Sequence, residues 1–117
     1  MMFNIKVSKS EERVFGEVSD EKGNEVDFVV FGEEDALVLC VSGDNVISKN
    51  VYNMLSNFMK EFGNVVSASI TFPSVEDAGS KRLKGNVWIC SRWVLKENRS
   101  VKDALNSLYS LCHTKIR

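Results

Sequence analysis

The chain has 117 residues, of which 44% are hydrophobic and 26% are charged, and its formal net charge is −1. This length and composition are ordinary for one globular domain, so we predict a single α+β domain over residues 1–117. No apolar run approaches the ~20 residues of a membrane-spanning helix, and the first residues lack the apolar core of a signal peptide. These features predict a cytoplasmic protein without a membrane segment.

The near-neutral total hides a strong asymmetry between the two halves of the chain. Residues 1–63 contain six Lys/Arg and twelve Asp/Glu, a net charge of −6. Residues 64–117 contain nine Lys/Arg and four Asp/Glu, a net charge of +5. Such a separation of charge creates a field that orients binding partners. The charge asymmetry therefore indicates association with another macromolecule and carries little information about the fold.

The first third of the sequence predicts four strands. Apolar and polar residues alternate with a period of two, which is typical of strands that are buried on one face. These segments are residues 3–7, 13–18 and 26–30, whereas residues 36–41 form the longest apolar run of the chain and indicate a buried strand. Gly23 and Asn24 favour a turn after the second strand, because both residue types tolerate positive φ. Two-residue hairpin loops are not obvious here, so the strand register is left open.

The apolar spacing changes to three and four residues after Gly43, which predicts an amphipathic helix. Its apolar stripe consists of Ile47, Val51, Met54, Leu55, Phe58, Met59 and Phe62. Asp44 or Asn45 is placed to cap the start of this helix. Gly63 is placed to end it in the left-handed conformation.

The second half predicts two more strands and a second helix. Its elements are a strand at 65–72, a loop at 74–86, a strand at 87–95 and a helix at 101–112. Ser100 and Asp103 resemble a capping box at the start of that helix. The resulting order is β-β-β-β-α-β-β-α. We predict an α+β two-layer sandwich, in which a mostly antiparallel sheet carries both helices on one face. The first helix lies between the fourth and fifth strands, which permits a right-handed crossover between parallel strands there.

The reactive side chains predict no catalytic site. Cys40, Cys90 and Cys112 lie in apolar elements, so we expect reduced core thiols in a reducing compartment. His113 cannot face its neighbour Cys112, because adjacent helical residues point in different directions. The sequence contains no CxxC zinc spacing, phosphate-binding loop or calcium loop. We therefore expect no catalytic residue, no metal, no cofactor and no enzymatic activity.

Two sets of residues are candidate binding surfaces. The acidic set lies in the turns of the first four strands and is expected to contact a protein partner: Asp20, Glu21, Glu33, Glu34 and Asp35. The basic and aromatic set comes from the long loop and the strand that follows it: Lys81, Arg82, Lys84, Trp88 and Arg92.

The face of the sheet away from the helices suits more than one kind of partner. An exposed Trp88 beside Arg92 would provide a stacking platform for single-stranded nucleic acid. The same face suits a protein partner, because Trp and Arg are enriched at interface hot spots. An apolar patch that includes Phe15, Val29 and Phe31 would favour a two-fold homodimer. Alternatively, the opposite charges simply lie next to one another within one subunit.

These patterns favour a non-enzymatic protein-binding or regulatory module, with inhibition of the partner as one form of regulation. The alternatives are a nucleic-acid-binding protein, which would use the basic and aromatic set, and a small-molecule-binding domain or enzyme, which would need a pocket.

Overall fold

The computed structural model describes residues 3–43, 45–71 and 87–114. Within these ranges the predicted order of elements and the two-layer α+β architecture are confirmed. The strands are β1 (Asn4–Ser10), β2 (Arg13–Ser19), β3 (Glu25–Glu33), β4 (Ala36–Ser42), β5 (Gly63–Thr71) and β6 (Trp88–Leu95). The helices are α1 (Val46–Met59) and α2 (Val101–Thr114). Neither described helix is long and apolar enough to cross a membrane.

The strands form one sheet in the order β1-β2-β3-β4-β6-β5, and each neighbouring pair is antiparallel. The crossover between parallel strands that the sequence permits at α1 is present, with one strand between the two. β4 and β5 both run antiparallel to β6, so they point in the same direction, but β6 lies between them. Helix α1 thus carries the chain across a gap of one strand, which the last strand fills.

The β1–β2 and β3–β4 connections are tight hairpins whose loop sequences do not indicate a two-residue turn. Ser10 pairs with Arg13, which leaves a loop of two residues, and the β3–β4 connection has the same length. The first loop residue has positive φ in each case, 47° at Glu11 and 58° at Glu34. Glutamate is uncommon in this left-handed region, where Gly, Asn and Asp are favoured. The loops therefore lack the residues by which such turns are normally identified.

The starts of both helices follow the predicted capping pattern. The Asn45 side-chain oxygen accepts a hydrogen bond from the Ser48 backbone N–H at 3.0 Å. The Asp103 backbone N–H donates to the Ser100 hydroxyl at 3.1 Å. Each side chain satisfies a backbone donor that lacks a partner within the first turn of its helix.

The predicted role of Gly63 is wrong. Helix α1 ends at Met59, its C-cap Lys60 has a right-handed conformation, and Gly63 begins β5. A Cβ atom at Gly63 would lie 2.6 Å from the carbonyl oxygen of Val94. The glycine therefore permits a close approach of β5 to β6 and does not terminate the helix.

The main core lies between the sheet and the two helices. Helix α1 packs over β3, β4 and β6, whereas α2 packs over β1, β2 and β3. Val26, Phe28 and Val30 point toward the helices, as the alternation predicts, and each is buried. The helices contribute residues such as Leu55 and Leu108, which are also fully buried.

We expect Gly16→Ala to destabilise the fold by about 2 kcal/mol, because over-packing a full core typically costs 1–3 kcal/mol. Gly16 pairs with Phe28 across β2 and β3, and a Cβ atom there would overlap the Phe28 ring. Chemical denaturation measures the loss. The Phe28→Leu variant provides the control background, in which Gly16→Ala should cost much less. Equal costs in the two backgrounds would contradict this packing role.

Candidate binding surfaces

The sheet face away from the helices has its own buried apolar cluster. We call it the second cluster, and it consists of Phe15, Val29, Cys40 and Trp88, with Phe31, Val38 and Cys90 packed against it. Its residues lie on the predicted side of the sheet. Trp88 is only 3% exposed, however, and Val29 is only 1% exposed. The expectation of an exposed aromatic patch on this face is therefore wrong.

The stacking platform predicted for nucleic acid does not form as expected. The Trp88 ring is buried, so its face is not available to a base. The Arg92 guanidinium forms a salt bridge with the Glu33 carboxylate, which belongs to the acidic set. Two residues from opposite predicted sets thus neutralise each other within one subunit. Lys81, Arg82 and Lys84, also predicted for this surface, lie outside the described residues.

The acidic set is divided between two ends of the sheet. The loop containing Glu34 and Asp35 lies at the same end as the β1–β2 loop, where the Gly32 N–H donates to the Glu12 carbonyl at 3.1 Å. The β2–β3 turn, which contains Asp20 and Glu21, lies at the opposite end because successive strands of the meander reverse direction. The structure therefore does not bring the acidic residues together as one patch.

The β2–β3 turn is organised by Asp20. Its carboxylate accepts hydrogen bonds from the backbone N–H groups of Lys22 and Asn24, both at 2.9 Å, and from the Asn24 side-chain amide at 3.0 Å. The Asn24 side chain is the main reason that the pKa of Asp20 is lowered, and the backbone donors add to it. The carboxylate is thus engaged in holding its own turn.

A cleft of about 610 Å³ lies between this turn and the start of α1. This volume falls within the range of small-molecule sites. The cleft is lined by Asp20, Glu21, Lys22, Asn24, Asn45, Val46, Ile47 and Asn50. Its Asp20 carboxylate and Asn45 side-chain oxygen already accept the hydrogen bonds of the turn and of the helix cap. Two of the polar side chains that line the cleft are therefore already engaged within the protein.

The cysteine prediction is wrong for two of the three residues. Cys40 and Cys90 are directly opposite each other on β4 and β6, with Cα atoms 4.2 Å apart, and they form a disulfide. Cys112 is free and buried in α2, and burial raises the pKa of its thiol to about 11. The thiolate is the reactive form, so Cys112 behaves as the expected inert core residue. Among the described residues, no group of three His, Cys, Asp or Glu is placed to hold a metal ion.

The exposed edge at β5 is a candidate binding surface that the sequence interpretation missed. Within the described part of the chain, β5 has β6 as its single strand neighbour. Its sequence from Gly63 to Thr71 contains no charged residue and no proline. Val65 is 49% exposed and Val66 is 59% exposed. The uncharged sequence was visible in advance, but the position of β5 at the edge was not.

We expect the tryptophan emission of the native protein to resist quenching by iodide. The chain has two tryptophans, and both Trp88 and Trp93 are buried. Iodide is charged and does not enter an apolar interior, so quenching should increase strongly on unfolding in urea. Acrylamide, which is neutral, provides the comparison. Strong iodide quenching of the folded protein would contradict the burial of the tryptophans and would support a stacking surface for nucleic acid at Trp88.

We expect protein purified without reductant to show one thiol after denaturation, which belongs to Cys112, and three thiols after reduction. A chromogenic thiol reagent gives the count, and Cys112→Ala should remove the single thiol. Reduction should lower the free energy of unfolding by about 2–4 kcal/mol, because the bond closes a long loop between residues 40 and 90. Three thiols without reduction would contradict the pairing.

Comparison with known proteins finds no matching protein family, no matching curated protein and no matching solved structure. The function proposed for this chain therefore follows from the geometry of its own residues.

Proposed function

We propose that this protein is a non-enzymatic protein-binding module and that it binds a partner strand along the edge of β5. The observation that supports this proposal is the exposed, uncharged edge, with Val65 and Val66 accessible at one end. Edge strands of soluble proteins are normally protected by charged residues, proline or a covering element. An edge without charge or proline suits the addition of another strand.

Strand addition would use the backbone of β5 for affinity and its side chains for specificity. Alternate N–H and C=O groups of an edge strand point away from the sheet and pair with an incoming chain. The register of β5 against β6 shifts between Val65 and Ser67, and regular pairing then continues from Ser67 to Thr71. That regular run is the segment on which a partner strand would align.

Charge has a secondary role in this proposal. The acidic residues at the two ends of the sheet would steer a partner during approach, without forming the binding site. When β5 pairs with a strand of the partner, that strand can no longer make other contacts. Binding would thereby regulate or inhibit the partner. Nucleic-acid binding is not favoured, because Trp88 is buried and Arg92 is paired with Glu33.

The proposed location is the cytoplasm. Cytoplasmic thiol systems keep most cysteines reduced. The β4–β6 pairing holds Cys40 and Cys90 opposite each other. The Cys40–Cys90 disulfide counts against this location, because such bonds are rare in a reducing compartment.

Photo-crosslinking in cells tests the binding surface. A benzophenone amino acid replaces Val66 on the edge, Val46 at the start of α1, or Glu34 in the β3–β4 loop. Val46 is the matched control, because it is also an exposed valine, at 74% against 59% for Val66. We expect a crosslinked polypeptide at position 66 and little at position 46. Equal yields at these positions, or a yield concentrated at position 34, would contradict binding at the edge.

A further inference from the structure

The two edges of the sheet are protected to different degrees. The β1 edge carries Lys6 and Lys9, and the Lys9 ammonium contacts the Asn106 side chain of α2. Lysines on an edge strand oppose pairing with another sheet, because burial of their charge is costly. The β5 edge has no such residue between Gly63 and Thr71. Among the described residues, the sheet therefore has one protected edge, at β1, and one edge, at β5, whose residues 64–68 are exposed and uncharged.

Exposed apolar side chains are concentrated beside the β5 edge. Among the described residues, the exposed large hydrophobic side chains are Val46, Val65, Val66 and Val94. Three of these four lie on β5 or on its neighbour β6, where Val94 pairs with Asn64 next to Val65. The accessible area of Val65 and Val66 would be reduced by a strand that continues the sheet past β5, which adds a hydrophobic contribution to the backbone hydrogen bonds.

We propose that the partner strand is β5 of a second copy of this chain, arranged antiparallel across a two-fold axis. This inference rests on the proposed function and names its partner. The two six-stranded sheets would then form one continuous sheet. A two-fold interface uses the same surface on both subunits and closes after two copies. The protected β1 strands would become the outer edges of the dimer.

The chemistry of β5 favours self-pairing over the other arrangement available to two copies. Antiparallel pairing of an uncharged strand with itself places no like charges opposite each other in any register. Pairing of β5 with β1 would instead bring the charged Lys6 and Lys9 into the interface and would leave two free edges. Such head-to-tail contacts propagate into filaments. The lysines on β1 oppose that outcome, whereas nothing in the β5 sequence opposes the two-fold pair.

Analytical ultracentrifugation from about 1 µM to about 500 µM tests the proposal, because a specific contact of modest size dissociates within this range. We expect a reversible monomer–dimer equilibrium. Val66→Lys should weaken it at least about tenfold, because strand pairing would bury the lysine charge at the end of the paired segment. Val46→Lys is the matched control and should leave the dissociation constant unchanged. Circular dichroism and thermal unfolding verify that both variants remain folded.

Hydrogen exchange gives a second measurement that needs no variant. At high protein concentration the backbone amides of β5 should exchange more slowly than at low concentration, whereas those of β1 should not change. Several outcomes overturn the proposal: a monomer throughout the range, equal weakening by the two lysine variants, or protection at β1. A monomer that still gives a crosslink to a different protein at position 66 would overturn self-pairing alone. A monomer without any crosslink at that position would also overturn the proposed function.

Discussion

The antiparallel pairing of β6 with β4 is the contact on which the rest of this structure depends. Among the described strands, it joins the β1–β4 meander to the unit formed by α1 and β5. It places Cys90 opposite Cys40 and brings Arg92 to Glu33. It also adds Trp88 to the second cluster. Because β6 occupies the free side of β4, β5 is left at the edge of the sheet.

The strands next to this contact are buried on both faces. In β3, Val30 packs toward the helices and Val29 packs into the second cluster, and both are about 1% exposed. In β4, Leu39 packs toward the helices and Cys40 packs into the second cluster. Continuous apolar runs are typical of strands covered on both sides, whereas strict alternation indicates one solvated face. The run in β4 thus carried information about the second cluster that the alternation argument did not use.

Local elements could be predicted from the sequence because each depends on a short window. The caps at Asn45 and Ser100 and the sides of β6 that carry Trp88 and Trp93 all follow from spacing of this kind. The order of strands could not be predicted, because periodicity reports which way a side chain points and not which strand lies beside it. For this reason the disulfide was not predicted. Residues 50 positions apart in sequence are neighbours once β6 lies next to β4.

The same limit applies to the charge asymmetry. A chain with an acidic first half and a basic second half does not need two charged surfaces, because β6 brings part of the second half into the sheet formed by the first. The salt bridge between Arg92 and Glu33 is one result, and the division of the acidic turns between two ends of the sheet is another.

In the proposed association, the backbone hydrogen-bonding groups of β5 contribute more than charged side chains do. A hydrogen bond formed by an edge strand replaces one made to water, so its net contribution is only about 0.5–1.5 kcal/mol. Several such bonds along β5, together with removal of Val65 and Val66 from water, would add to one another. Such an interface depends little on salt, because it contains no ion pairs. The position of β6 therefore places β5 at the edge of the described sheet, which is the surface that the proposed binding would use.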